Sequence, residues 1–455
     1  LFSGGRTGDG YDSLYFVYGG DLGTGNSLEE AGIQITHDMA ADNKYITSGL
    51  IADINGDGWD DILVGLSPTG VIANRGSIAV FFGSDERFTS LDIDDDAGLI
   101  FISDQHGEPF AETMAAGDFN NDGVDDLLIG ETVVRSPEET DYRGSSWLIL
   151  GNSAWSNTPQ NNPYVEQVLH MVPQDAAFNW VTNTDARENY GTVGFLDFNG
   201  DGFADMVAQV GPQEDPASTD YGVALIFGMP LYGEEGTDNI KITLLNEGGV
   251  INLEHLEPAQ GTIFTPYKSE ALTRSINMET GNLNGDAFDD LIINDVTGGS
   301  ITIIFGSDTV PVAAKTNYET TTDYDTLTLT PAESNRFGYY VTAGSDYNGD
   351  GINDLLVSDY KANSTKGAVW LIWGDDNFAD LSTTILDEMR DGTAADDVGI
   401  YFTLGNMSHW RLTGVNGGDL NGDGTDDITF VDNEGLYVIP GSTDLVGIPS
   451  IDLNV

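Results

Sequence analysis

Nine-residue segments of the pattern D-x-N-x-D-G-x-x-D recur along the chain, and their oxygen-bearing side chains are suited to one chemistry, the holding of a hard cation. Five copies are complete: DINGDGWDD from Asp53, DFNNDGVDD from Asp118, DFNGDGFAD from Asp197, DYNGDGIND from Asp346 and DLNGDGTDD from Asp419. A sixth, NLNGDAFDD from Asn282, is weakened. Ca²⁺ takes about six to eight oxygens at about 2.3–2.6 Å. Side chains at positions 1, 3 and 5 of a tight loop converge on one point, position 7 adds a main-chain carbonyl, and an acid at 9 closes the shell. The first donor set is then Asp53, Asn55, Asp57, the carbonyl of Trp59, and Asp61. The others are Asp118, Asn120, Asp122, Val124 and Asp126; Asp197, Asn199, Asp201, Phe203 and Asp205; Asp346, Asn348, Asp350, Ile352 and Asp354; and Asp419, Asn421, Asp423, Thr425 and Asp427. In the sixth copy, Asn282, Asn284, Asp286, the carbonyl of Phe288 and Asp290 replace them, with Asn at position 1 and Ala287 at position 6. That site is expected to bind more weakly. Position 6 is elsewhere Gly, which takes a left-handed turn at least cost.

An EF-hand would need a bidentate Glu at position 12 and flanking helices. Position 12 is Val64, Ile129, Ala208, Ile293, Val357 and Phe430, so that reading fails. The acid at 9 runs straight into a short apolar segment such as ILVG or LLVS, which places the loop in a β-hairpin. Turns rich in Asp, Asn and Gly also form without metal. One copy would leave that alternative open, and regular repetition argues against it.

Around these loops lies a repeated set of strands. An alternating apolar segment ending in Gly occurs seven times, as LYFVYGG from Leu14, IAVFFGS from Ile78, WLILGN from Trp147, VALIFGM from Val223, ITIIFGS from Ile301, AVWLIWGD from Ala368 and LYVIPGS from Leu436. Over 455 residues the unit is about 65 residues long. Each unit reads as four strands: A enters the loop, B leaves it, C carries the Gly ending, and D follows, as in LDID from Leu91 or LTLT from Leu327. Four short strands in seven repeats predict an all-β fold, a seven-bladed β-propeller, with residues 1–455 as one domain. The first unit lacks strand A and its loop, because Leu1 aligns with strand B. Residues 446–455, whose Asp452-Leu453-Asn454 copies Asp419-Leu420-Asn421, are expected to close that blade. A chain opening in mid-repeat is expected to be part of a larger surface or secreted protein.

These units resemble the FG-GAP repeats of the integrin α-chain propeller and its bacterial relatives. The FG element is clearest in Phe337-Gly338 and altered in Tyr190-Gly191 and Phe110-Ala111. Gly65-Leu66-Ser67-Pro68 matches the GAP element loosely. The resemblance covers essentially the whole chain. It implies that A–B loops carry calcium on one face of a disc, with B–C and D–A connections on the other. It does not fix function, since such propellers serve adhesion, sugar binding and catalysis.

Composition narrows the setting. Sixteen Lys and Arg stand against 75 acids, a formal charge of −59, and Cys is absent. Such a surface repels nucleic acid and anionic membranes. No apolar run of about 20 residues would span a bilayer. A salty, calcium-rich exterior screens the self-repulsion, so the expected location is extracellular or at the cell surface.

Long insertions at 131–145, 175–191, 254–277 and 388–411 fall in connections assigned to the face opposite the loops. Most cations fall there as well, among them Lys44, Arg143, Arg187, Arg336, Arg390 and Arg411. These either bridge blades and pair with local acids or form a binding face for an acidic protein or glycan. Trp180 and Trp410, read as loop residues, are candidates for stacking on a sugar, whereas Trp147, Trp370 and Trp373 read as core. The candidate ligand-binding set is Arg143, Trp180, Arg187, Arg336, Trp410 and Arg411. The five His are scattered, and no HExxH, GxSxG or phosphate-binding Gly loop occurs. Tyr360-Lys361 and His409-Trp410-Arg411 are the only groupings that would suit a polysaccharide lyase. The expectation is a non-catalytic, calcium-dependent recognition module for a protein partner, with a lectin-type carbohydrate binder as the alternative.

Overall fold

The computed structural model describes residues 2–3, 11–16, 18, 32–38, 44–68, 75–103, 110–135, 142–155, 169–171, 178–182, 192–210, 222–229, 256–265, 276–295, 299–313, 315–332, 336–359, 362, 367–403, 413–416, 418–431 and 436–452. Among them the strands form seven sheets, met one after another along the chain. The sixth shows the plan. Strand A, Phe337–Ser345, pairs antiparallel with B, Asp354–Asp359, which pairs with C, Ala368–Ile372, which pairs with D, Gly399–Thr403. The fold is all-β, as predicted from alternation, and each Gly-terminated segment forms a strand C.

Apolar residues on both faces of strands B and C explain why sheets stack. In Asp61–Pro68, Ile62, Val64 and Leu66 pack toward the first sheet with Leu14, Ile35 and Phe81. Leu63, between them, packs toward the third sheet with Phe110, Ile129 and Trp147. Period-two alternation thus feeds two cores at once. Six buried apolar clusters among the described residues each join one sheet to the next in sequence. Trp147, Trp370 and Trp373 are buried in these layers, as expected. The Trp370 ring stands edge-on to Phe337, and its Nε1 donates to the Leu386 carbonyl at 3.0 Å.

The FG and GAP elements meet between sheets. The Phe110 N–H donates to Ser67 Oγ at 3.0 Å, and Thr47 Oγ1 donates to the Ala111 carbonyl at 3.0 Å. A Cβ on Gly65 would lie 2.5 Å from that same carbonyl, so only Gly allows the approach. Ala111 itself takes φ 52°, the conformation that Gly338 occupies at φ 80° in the complete motif.

Five readings need correction. Leu91–Asp92 is not strand D of its own unit; it adds a parallel outer strand to the first sheet, and strand D is Leu99–Ser103. Leu169–Met171, Lys315–Asn317 and Ser450–Asp452 do the same for the second, fourth and sixth sheets. The four-strand unit is therefore extended by a link that reaches back to the preceding sheet. Consequently Ser450–Asp452 does not supply strand A of the first blade, because it pairs with Tyr401–Thr403. Nor is 388–411 one D–A connection: it holds the end of a helix, Ile385–Asp391, and the whole of strand D, Gly399–Thr403. Residues of 254–277 likewise include strand D, Gly261–Thr265. Trp180 lies in strand D, Phe178–Thr182, rather than in a loop. No helix among the described residues is long and apolar enough to cross a membrane.

Candidate metal centre

All six candidate loops fall within the described residues, each joining strand A to strand B. Their conformation follows from the side chain at position 1. In the Asp346 loop, Asp346 Oδ1 accepts from the Gly349 and Asp350 N–H groups at 2.7 and 3.1 Å, and Oδ2 accepts from Gly351 at 2.7 Å. Asn348 Oδ1 accepts from Asp350 N–H, and Asp350 Oδ1 from Ile352 N–H. The position-6 N–H also meets the position-1 carboxylate in the Asp53, Asp118, Asp197 and Asp419 loops. Position 6 is left-handed in these five, with φ between 85° at Gly202 and 93° at Gly424. Position 4 is left-handed too, at Gly or at Asn121, a requirement not recognised in the sequence.

The position-9 acid has a second duty. Asp61, Asp126, Asp205, Asp290 and Asp354 are fully buried, as is Asp427. Each accepts through one oxygen from the position-2 N–H and through the other from the Gly that ends strand C. Asp354, for example, takes Tyr347 at 2.8 Å and Gly374 at 2.9 Å. That is why the segment must end in Gly: a Cβ on Gly374 would lie 2.1 Å from the Asn353 carbonyl. The acid expected to close the shell therefore already gives one lone pair of each oxygen to the backbone. A carboxylate has about four lone-pair sites, so two remain after the backbone bonds.

Electrostatics supply the fit test. Burial, and then the carboxylates at positions 5 and 1, push Asp61 up to about 7 and Asp205 and Asp354 up to about 8. Backbone N–H bonds oppose the shift without cancelling it. Among the described residues no three Asp, Glu or His side chains stand close enough to hold a metal by themselves. The donor set needs the Asn at position 3 and the carbonyl at position 7 as well. Asn120, at position 3, keeps a buried Oδ1 with no hydrogen-bond partner. All-oxygen donors, mutual repulsion and an orphaned amide oxygen fit a hard divalent cation.

The Asn282 loop departs from this pattern. Asn282 turns its amide inward, donating to the Asp286 carbonyl at 2.6 Å, and its Oδ1 is buried without a partner. Ala287 is not left-handed, and no position-6 N–H meets the side chain of position 1.

Neighbouring loops are joined. The position-8 N–H donates to the position-1 carbonyl of the preceding loop five times: Asp125 to Asp53, Ala204 to Asp118, Asp289 to Asp197, Asn353 to Asn282 and Asp426 to Asp346, at 3.0–3.2 Å. The residue after the strand-C Gly donates likewise to the position-2 carbonyl, from Asn152 to Ile54 through Ser442 to Tyr347. The position-8 side chains of Asp125, Asp289, Asn353 and Asp426 accept the position-1 N–H in return. Asp125 and Asp426 are thus clamps between loops, not loose surface acids. Side chains at position 7 cover the position-4 Gly of the loop before, as Val124 covers Gly56 and Ile352 covers Gly285.

The candidate ligand face is less completely described. Arg187, Trp410 and Arg411 lie outside the described residues, as do Tyr190, Tyr360, Lys361 and His409. Arg143 and Trp180 have described backbones only, Arg143 inside strand C opposite Val134. Arg336 precedes strand A, at the end away from the loop, and is partly buried. Lys44 begins strand A and donates to Ser77 Oγ at 3.1 Å. Arg390 lies in a helix between strands C and D and pairs with Asp387 and Asp391, the local pairing considered above.

Residues 110–149 match the FG-GAP repeat family model, so the chain carries an FG-GAP repeat there. Human phosphatidylinositol-glycan-specific phospholipase D is 35% identical over 106 residues, 22% of this chain and 12% of that protein. Integrin alpha-PS2 of Drosophila melanogaster is 23% identical over 294 residues, 61% of this chain and 17% of its own length. The chain thus matches less than a fifth of the length of these curated relatives. Among solved structures, the Dos1 propeller shows a TM-score of 0.32 at 10% identity, covering 65% of this chain and 52% of that one. Rhamnogalacturonan lyase YesW shows 0.33 at 9%, covering 97% and 76%. Neither score is high enough to assign a fold.

Proposed function

We propose that the chain is a seven-bladed propeller whose six A–B loops hold calcium, five tightly and the Asn282 loop weakly. It acts as a non-catalytic, extracellular recognition module for a protein partner. The observation that carries this reading is the repeated loop geometry. Five position-1 carboxylates are locked by backbone N–H groups, with further oxygens beside them and no ion pair to them from a Lys or Arg among the described residues. The seven successive sheets support the blade count, and the match to part of an integrin supports an adhesive role. The stretch shared with phospholipase D covers a small part of that enzyme, and no motif in this chain points to catalysis.

The partner is proposed to be acidic and to dock opposite the calcium loops, where Arg336 stands and where Arg143 falls by topology. A glycan array probed in millimolar calcium is expected to stay silent, while a library of secreted and surface proteins returns binders released by chelator and weakened by salt. Glycan binding lost on Trp410→Ala would turn the assignment to a lectin.

A further inference from the structure

Five of the six Asn-Gly pairs in the chain sit at positions 3 and 4 of the A–B loops: Asn55-Gly56, Asn199-Gly200, Asn284-Gly285, Asn348-Gly349 and Asn421-Gly422. An Asn followed by Gly can lose its side-chain amide, because the next main-chain nitrogen reaches the side-chain carbonyl carbon and Gly has no side chain to shield it. The fold treats the five nitrogens differently. The Gly349 N–H donates to Asp346 Oδ1 at 2.7 Å, and the Gly422 N–H to Asp419 Oδ1 at 2.6 Å. A nitrogen held this way must give up a charge-assisted bond before it can attack. The Gly56, Gly200 and Gly285 N–H groups make no hydrogen bond among the described residues. In the Asp53 and Asp197 loops the position-1 carboxylate still stands beside the turn, accepting from Asp57 at 3.1 Å and Asp201 at 3.0 Å. Its charge opposes the negative charge that builds on an attacking nitrogen. Asn55 is also only 3% exposed. The Asn282 loop has neither restraint. Its position-1 side chain is neutral and turned inward, donating to the Asp286 carbonyl at 2.6 Å. Gly285 is exposed, with φ 69°. Asn284 Oδ1 accepts from the Asp286 N–H at 3.2 Å, and its Nδ2 donates to Asp286 Oδ2 at 2.8 Å. These bonds fold the side chain back along its own main chain, toward the Gly285 nitrogen.

We infer that Asn284 is a site of spontaneous deamidation, reacting ahead of the other four. The Gly285 nitrogen attacks Asn284 Cγ, and the new N–Cγ bond closes a cyclic imide. The Cγ–Nδ2 bond breaks, and the amine leaves as ammonia with the proton lost from the Gly285 N–H. Water then opens the imide. Opening at Cγ leaves Asp in place of Asn284, and opening at the main-chain carbonyl leaves isoaspartate; either way one water is taken up and one ammonia released. An Asp there, with Asp286 and Asp290, gives the loop three acids, the number that positions 1, 5 and 9 supply in the complete copies. On the calcium reading proposed above, on which this consequence rests, that route strengthens the weakest site with age.

The test ages the full chain in mildly alkaline buffer with chelator, digests it at intervals and follows each Asn-Gly peptide by mass spectrometry, with isoaspartate separated by chromatography. Asn284 is expected to deamidate at least about tenfold faster than Asn348 and Asn421. Asp346→Asn removes the acceptor for the Gly349 N–H and should speed Asn348 by a similar factor, while Asn282→Asp should slow Asn284. In urea the five sites should react at similar rates. The inference is overturned if Asn284 reacts no faster than Asn348 and Asn421 in the folded chain. It is also overturned if the ranking survives in urea, because local sequence and not the fold would then set it. The consequence for calcium is read separately: Asn284→Asp should add a tight site to a calorimetric titration. An unchanged titration in a chain whose complete loops bind calcium overturns the strengthening. A chain in which no loop binds overturns the calcium reading instead, and the deamidation rates do not depend on it.

Discussion

The Asp346 and Asn282 loops stand side by side, bonded through Asn353 and Asn282, yet they reach the same turn by different means. In the Asp346 loop one carboxylate gathers three N–H groups and Gly351 turns left-handed at φ 89°. In the Asn282 loop an amide donates inward and position 6 does not turn. Their frameworks nevertheless agree. Asp354 and Asp290 are both fully buried and make the same two backbone bonds. The difference separates two roles that the motif combines. Position 9 and the strand-C Gly build the hairpin, and positions 1, 3 and 5 shape the turn that is proposed to hold the cation.

Removing calcium should erase the distinction and has the largest expected effect. A ligand bound only by the folded state stabilises it by about 2.7 kcal/mol per site at 100 times Kd. Five strong sites together should lower the melting midpoint steeply when chelator replaces calcium in calorimetry. An unchanged midpoint would reduce the loops to turns.

The framework role should be blind to calcium. Gly374→Ala and Gly306→Ala drive a Cβ to 2.1 and 2.3 Å from the Asn353 and Asp289 carbonyls. Each should cost about 1–3 kcal/mol, to a similar extent in calcium and in chelator. A cost that appears only in calcium would merge the two roles again.

The site role should differ between the loops. Asp350→Ala should cost about 2–3 kcal/mol in saturating calcium and remove one tight site from a calorimetric titration. Asp286→Ala should cost less than about 1 kcal/mol. The double change Asn282→Asp with Ala287→Gly should add a tight site. Equal losses from the two alanine variants would show that the Asn282 loop is not compromised.

Much of this framework is legible in the residues, because period-two alternation and Asp-Asn-Gly turn chemistry are local. What was not legible depends on distant partners. The Gly374 N–H meets Asp354 across 20 positions, and Asp125 meets Asp53 across 72. Read alone, Asp125 is one more surface acid. The outer strands are two or three residues long, too short for any period, so Leu91 reads as an ordinary strand D. The helix Ile385–Asp391 follows a turn of Ser and Thr within a β pattern, and seven residues leave little helical signal.

The smallest expected effect lies in the strand that feeds the weaker loop. Three residues before position 1 the chain has Leu50, Ala115, Gly194, Glu279, Ala343 and Asn416, so the Asn282 loop alone follows a charged residue there. Glu279 is ringed by protein, though part of its surface stays open, and it has no hydrogen-bond or cation partner among the described residues. Burial pushes its carboxyl from 4.5 up to about 8. An acid whose folded pKa is raised binds protons more readily in the folded state. The stabilisation is therefore present below pH 4.5 and is lost as pH rises toward 8. Glu279→Gln removes that loss and should stabilise the chain by on the order of 1 kcal/mol at pH 8, with little change at pH 4. Ala343→Glu, placed at the same point before the Asp346 loop, should introduce a loss of the same sign, because Ala343 is fully buried. If Glu279→Gln melts alike with the parent chain at both pH values, the carboxylate is solvated, and the feeder strands of the two loops are electrostatically equivalent.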